Sequence, residues 1–178
     1  MAVVNELNGI ICVNKPAGFT SFDVIAKMRG ILKMRRLGHG GTLDPMATGV
    51  LSVFAGSAAK ASEMLPDHDK IYVAGFKLGT VTDTQDCTGK VLSESDKPVS
   101  REELDAAAER FMGDIMQIPP MYSAVSVNGK RLYELARQGV TIERKPRPIT
   151  VYTLDILEYD VEKREGKMKI ACSKGTYI

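Results

Sequence analysis

Cysteine and histidine are scarce in this sequence. Three cysteines, Cys12, Cys87 and Cys172, stand far apart and are odd in number, and only His39 and His68 supply imidazoles. Disulfide frameworks need paired cysteines, and zinc sites need thiolates or imidazoles clustered at short spacing, so neither a disulfide scaffold nor a metal site is expected. The thiols are read as structural or incidental. No apolar run approaches a membrane span, and the opening MAVVNELNG has neither the basic region nor the apolar stretch of a secretory leader. The expectation is a cytoplasmic chain without a membrane partner. Nucleotide-cradling motifs are missing too. The glycine-rich loop GHGGTLDPMATG (Gly38–Gly49) has Leu43 where the third glycine of GxGxxG would stand, and it lacks the GK[ST] ending of a P-loop. Nor does one sign of charge dominate, with 24 Lys and Arg against 22 Asp and Glu.

What is present suits one globular domain. The 178 residues are 44% hydrophobic and 26% charged, enough to bury a substantial core. The basic residues gather in two groups. Lys27, Arg29, Lys33, Arg35 and Arg36 form one, and Lys130, Arg131, Arg137, Arg144, Lys145 and Arg147 the other. Either group could face solvent or meet phosphates.

The apolar pattern predicts a buried strand over 9–13, the turn NKPAGF, and a helix opened by the capping-box pair Thr20 and Asp23, with Ile25, Met28 and Leu32 as its stripe. Residues 37–49 read as a loop. Strands are expected over 50–55, 70–78 and 90–92, with a short helix over 58–65 and a turn over 83–89. Ser100 and Glu103 cap a second helix that ends near Gly113. Pro119-Pro120, Asn128-Gly129 and Gly139 punctuate a strand, a tight hairpin turn and a short helix, and 149–172 reads as three strands. Mixed elements that do not alternate strictly point to an α+β fold with a largely antiparallel sheet flanked by helices. The chain stops at Ile178 with an apolar residue just beyond a glycine turn, so a shortened or cleaved form of a longer protein is expected.

Asp44 is the one carboxylate in the glycine-rich loop. Pro45 restrains its backbone to an extended conformation, and Leu43 and Met46 flank it with apolar side chains. A restrained carboxylate among apolar neighbours can act as nucleophile or general base, and an Asp-Pro pair can equally just start a turn.

The loop GHGGTLDPMATGVL closely resembles the signature of the TruB family of tRNA pseudouridine synthases. The segments NKPAGFTSFDV (14–24), KIYVAGFKLGTVTDTQDCTG (70–89), PPMYSAVSVNGKRLYELARQG (119–139), RPITVY (147–152) and CSKGTYI (172–178) follow in the family's order. The resemblance implies a pseudouridine-synthase-like fold whose catalytic aspartate is Asp44. It implies that Tyr72 packs on a flipped base, that His39 helps hold the target nucleotide out of its stack, and that Tyr177 contacts the substrate. Residues 117–147 would form a thumb-like insertion that closes over RNA. The substrate implied is the T-arm stem-loop of tRNA, modified at uridine 55, and a monomer would suffice.

That isomerisation breaks the C1′–N1 bond, turns the base and rejoins it through C5, so it gains and loses no atoms and needs no cofactor or metal. A base cannot react while stacked, hence the flipped base and its aromatic platform. By the same resemblance an arginine directly after GTYI, a pocket leucine beyond it and a C-terminal PUA domain lie past Ile178, so an incomplete site is expected. Two other classes remain: a non-catalytic RNA-binding or tRNA-folding module on the same scaffold, and a glycosidase-like hydrolase, which usually needs two cooperating carboxylates. Asp44 could add to C1′, add to the uracil ring, or remove a ribose proton to give a glycal.

Overall fold

The computed structural model describes residues 7–64, 69–127 and 129–178 as two compact units, Met1–His68 and Asp69–Ile178. Residues 1–6, Leu65 at the end of an expected helix, His68, and Asn128 of the expected Asn-Gly turn lie outside the described residues.

The first unit holds β1 (Gly9–Lys15), α1 (Ser21–Leu32), β2 (Leu37–Gly40), β3 (Gly49–Ala55) and a 3-10 helix (Gly56–Met64). The sheet is antiparallel with β3 between β1 and β2. The capping box forms as the sequence predicts: the Asp23 N–H donates to Thr20 Oγ1 at 3.0 Å, and the Thr20 N–H donates to Asp23 Oδ2 at 2.8 Å. Val24 and Ile25 on the buried side of α1 meet Leu37, Leu51, Val53 and Ala55. Each buried Val, Leu or Ile side chain among these stabilises by about 1.5–3 kcal/mol.

Residues 37–40, expected to be loop, are a strand. The glycines that suggested a loop serve packing: a Cβ on Gly40 would sit 2.9 Å from the Phe54 ring, and Gly40 pairs in register with Ser52.

The second unit contains β4 (Lys70–Lys77), β5 (Thr80–Thr82), β6 (Val91–Glu94), α2 (Arg101–Glu109), β7 (Gly113–Gln117), β8 (Ser126–Val127), β9 (Lys130–Arg131), α3 (Leu132–Arg137), β10 (Arg147–Asp160) and β11 (Glu165–Cys172). Its main sheet runs β4-β11-β10-β7. Ser100 and Glu103 cap α2 reciprocally, as expected. The core joins Ile149, Val151, Ile170 and Cys172, with Tyr72, Ile115 and Leu154 packed against them.

Residues 149–172 fall in two strands rather than the expected three. Strand β10 is 14 residues long, and its pairing with β11 shifts register between Val151 and Thr153 and again between Ile156 and Glu158. Each irregularity breaks the in–out alternation, which in the sequence reads as a strand ending. Among the described residues every paired strand is antiparallel, in keeping with an α+β fold. No helix of the described residues is long and apolar enough to cross a membrane.

Candidate active site

In the first unit, the loop 41–48 leaves β2 and returns into β3, so the sheet fixes both its ends. Three side-chain and backbone anchors hold its middle. Ser21, buried at the first turn of α1, accepts from the Leu43 N–H at 3.0 Å and donates to the Leu43 carbonyl at 3.3 Å. The Gly18 N–H donates to the Pro45 carbonyl at 2.8 Å. Lys15 is 0% exposed, and its Nζ donates to the carbonyls of Phe19 at 2.6 Å, Pro16 at 2.9 Å and Pro45 at 3.2 Å. An ammonium has three donors, and here each meets a carbonyl, which is what makes a fully buried charge tolerable.

Asp44 sits between these anchored neighbours. Its carbonyl accepts from the Ala47 N–H at 3.0 Å, closing a turn, while the residue itself is exposed. The peptides on either side of Asp44 are therefore pinned, and among the described residues its carboxylate is spent on no hydrogen bond or ion pair. Asp23, on the helix that Ser21 opens, is committed elsewhere: hydrogen bonds from the Thr20 hydroxyl and N–H hold its carboxyl below the usual aspartate range.

His39 lies on β2 opposite Val53, half-buried. Its Nδ1 hydrogen-bonds to the Gly41 carbonyl. A carbonyl only accepts, so the proton sits on Nδ1, and in the neutral ring Nε2 is left as an acceptor.

In the second unit, Tyr72 on β4 pairs with Ile170 and packs on the core cluster that also receives Ile115. Tyr177 lies beyond β11 in a turn anchored at both ends. The Ser173 N–H donates to the Thr150 carbonyl at 2.8 Å, and Ser173 Oγ accepts from the Thr150 N–H at 2.9 Å. At the other end the Gln117 side chain grips both backbone groups of Tyr177. So the structure gathers His39 and Asp44 on one strand and loop, and places Tyr72 and the Tyr177 turn on one sheet.

The basic groups divide by what they touch. Arg29 is turned inward, donating to the Leu37 carbonyl at 3.4 Å and lying 5.7 Å from the Phe22 ring centre, so it is structural. Lys27, Lys33, Arg35 and Arg36 are exposed. In the insertion, Arg144 donates to the Pro119 carbonyl at 3.2 Å, whereas Lys130, Arg131, Arg137, Lys145 and Arg147 are exposed. Burial pushes the Cys172 thiol up, which fits a structural cysteine and not a nucleophile.

Residues 29–178 match the TruB family pseudouridylate synthase (N terminal domain). The chain belongs to the TruB family. It is 52% identical over 172 residues to the tRNA pseudouridine synthase B of Clostridium novyi (strain NT), covering 97% of this chain and 59% of that relative. The counterpart in Endomicrobium trichonymphae is 46% identical, covering 98% of this chain and 75% of the relative. Among solved structures, a chain of a Cbf5-Nop10-Gar1 complex matches with a TM-score of 0.71 and 29% identity, over 98% of this chain and 42% of that one. A chain of an H/ACA RNP bound to a substrate RNA containing 2′-deoxyuridine matches with a TM-score of 0.67 and 25% identity, over 98% and 40%. The chain thus spans about 59% of the Clostridium novyi relative's length.

Sequence reasoning missed the TruB-family chain's anchoring residues, Lys15, Ser21 and Gln117. For Lys15 a signal existed. Ile11, Val13 and Lys15 alternate on the inward side of β1, so strand parity alone sends the lysine inward. Ser21 and Gln117 show their roles only once partners 22 and 60 residues away are folded beside them.

Proposed function

We propose that this chain carries the pseudouridine-forming chemistry of a tRNA pseudouridine synthase, isomerising uridine to pseudouridine with Asp44 as the essential carboxylate. The observation that carries this reading is the Asp44 loop, whose flanking residues are fixed by Ser21, Gly18 and Lys15 while the carboxylate is left unspent. A catalytic group held through its backbone arrives at the reaction with little left to order. The names of the relatives support tRNA as the substrate class, and an RNA-bound structural neighbour supports RNA as the ligand.

In this reading the target base is flipped out of its stack, with Tyr72 and Tyr177 lining the pocket and His39 helping to hold the nucleotide extruded. Asp44 then either adds to C1′, adds to the uracil ring, or takes a ribose proton to give a glycal. Each route detaches N1 and ends with C5 bonded to C1′ and the C5 proton released. The exposed Lys130, Arg131, Arg137, Lys145 and Arg147 on and around the 117–147 insertion contact the T-arm phosphates, which sets register without reading bases. The enzyme acts as a cytoplasmic monomer in a single catalytic domain, on uridine 55, without metal or cofactor.

Tritium release from C5-labelled tRNA tests this directly, using the complete gene product and its Asp44→Asn variant. Release by the parent and none by the variant, with tRNA binding retained in both, is the expected result. No release by the parent despite tight binding would favour an RNA-binding or tRNA-folding module instead. Free uracil among the products would mean a hydrolase.

A further inference from the structure

Strand β7 ends at Gln117, where it pairs with Arg147 at the start of β10, so Gln117 stands at the root of the 118–146 insertion. Ile115 and Gln117 are two residues apart on one strand and share a face. Ile115 packs on the cluster that holds Tyr72, so the Gln117 side chain leaves the sheet on the Tyr72 side. There it meets Tyr177. Gln117 Nε2 donates to the Tyr177 carbonyl at 2.8 Å, and the Tyr177 N–H donates to Gln117 Oε1 at 3.0 Å. One primary amide thus satisfies both backbone groups of one residue, as a neighbouring strand would. Both residues are half-buried, which keeps water from competing fully for the pair.

The rest of the turn is held by bonds that end at Thr176. Ser173 is tied to Thr150, and the Thr176 hydroxyl donates back to the Ser173 carbonyl at 2.9 Å. Gly175 has φ +82°, which glycine adopts at no steric cost, and the turn's own bonds reach only as far as Thr176. The Tyr177 backbone, from which the ring leaves, is held by the Gln117 amide.

We propose that Gln117 is the positioning residue for Tyr177, and that through it the root of the insertion is fastened to the wall of the base pocket. The inference rests on reading Tyr177 as a substrate-contacting side chain. Gln117 touches no substrate itself. It acts by holding a backbone segment, so its removal should slow the chemical step and leave tRNA affinity nearly intact.

The test compares the complete gene product with Gln117→Ala, Gln117→Glu, Tyr177→Ala and the double variant Gln117→Ala/Tyr177→Ala. Tritium release from C5-labelled tRNA gives kcat and KM, and amide hydrogen exchange is read at Tyr177 and Ile170. In Gln117→Ala we expect kcat to fall roughly tenfold with KM changed less than about twofold. The Tyr177 amide should exchange faster while the Ile170 amide in β11 does not. The double variant should be no slower than Tyr177→Ala alone, because the glutamine acts only through the tyrosine.

Effects that multiply in the double variant would overturn the proposal, as would unchanged protection at Tyr177. Should Gln117→Ala fail to fold, Gln117→Glu gives the same readouts at nearly constant volume, since its carboxylate cannot donate to the Tyr177 carbonyl. An inactive parent would sink the proposed function, while exchange at Tyr177 would still decide whether Gln117 holds it.

Discussion

Two turns in this chain each present an aspartate, and they treat it in opposite ways. In the loop 41–48, bonds from Ser21, Gly18 and Lys15 all land on the backbone of Leu43 or Pro45, and none uses the Asp44 carboxylate. In the turn 82–90 the carboxylates are themselves the anchors. Asp86 Oδ1 accepts from the Thr84 hydroxyl at 2.7 Å, the Thr88 N–H at 2.8 Å and the Thr88 hydroxyl at 2.6 Å, and Asp83 Oδ1 accepts from the Lys90 N–H at 2.8 Å. An aspartate that folds its own turn satisfies local N–H and hydroxyl donors with its charge. In the loop 41–48 the anchors come instead from Ser21, Gly18 and Lys15, so the turn is held without its carboxylate.

The largest break in this contrast comes from removing the buried lysine. Lys15→Met keeps the volume but leaves the Phe19 and Pro16 carbonyls without their donor, and takes one of two donors from Pro45. We expect destabilisation of about 3 kcal/mol, a fall in Tm on the order of 10 °C, and slower turnover at temperatures where the variant remains folded. Thermal unfolding with parallel tritium-release assays checks this. An unchanged Tm would mean the three carbonyls find water as readily as the ammonium.

Ser21→Ala is a smaller break. It removes the acceptor of the Leu43 N–H, at an expected cost of about 1–2 kcal/mol, with faster amide exchange at Leu43 and an unaltered rate at Val53 in the neighbouring strand. Equal acceleration at both positions would show that Ser21 supports the whole unit and not the loop.

Much of this was readable before folding. The pairs Thr20–Asp23 and Ser100–Glu103 form their capping boxes because both partners lie within one helical turn. The strand expected over 9–13, which runs on to Lys15, and the part of the expected loop around Asp44 were legible for the same reason, since their signals are local. Strand Leu37–Gly40 was hidden because Gly40 answers to the Phe54 ring, a demand set in another strand. The length of Arg147–Asp160 was hidden by its irregular pairing with β11. As for the site, Asp44, His39, Tyr72 and Tyr177 were named by family resemblance, and their roles stand as proposed above. The residues that hold two of them in place, Ser21 and Gln117, make amide- and hydroxyl-to-backbone bonds that any polar residue can make, so nothing in their local sequence distinguishes them.

The smallest effect sharpens the contrast through acid. Burial pushes the Asp86 carboxyl up, but the hydrogen bonds from Thr84 and Thr88 outweigh it and hold the group below the ordinary value of 3.8. A carboxyl with a lowered folded value stabilises the native turn fully above its unfolded value, and that contribution is lost as pH falls through the folded one. The turn 82–90 should therefore loosen only below about pH 4. The partly solvated site keeps the change small. Amide exchange at Thr88, corrected for its intrinsic pH dependence, should show protection that declines in that window. In Asp86→Asn the protection should already be lower at neutral pH and should lack the acid step. The Leu43 amide should show no such step of its own, because its anchor is the Ser21 hydroxyl, which does not titrate. An acid step at Leu43 matching that at Thr88 would mean that the Asp44 loop, too, depends on a carboxylate for its fold, and the distinction between the two turns would fall.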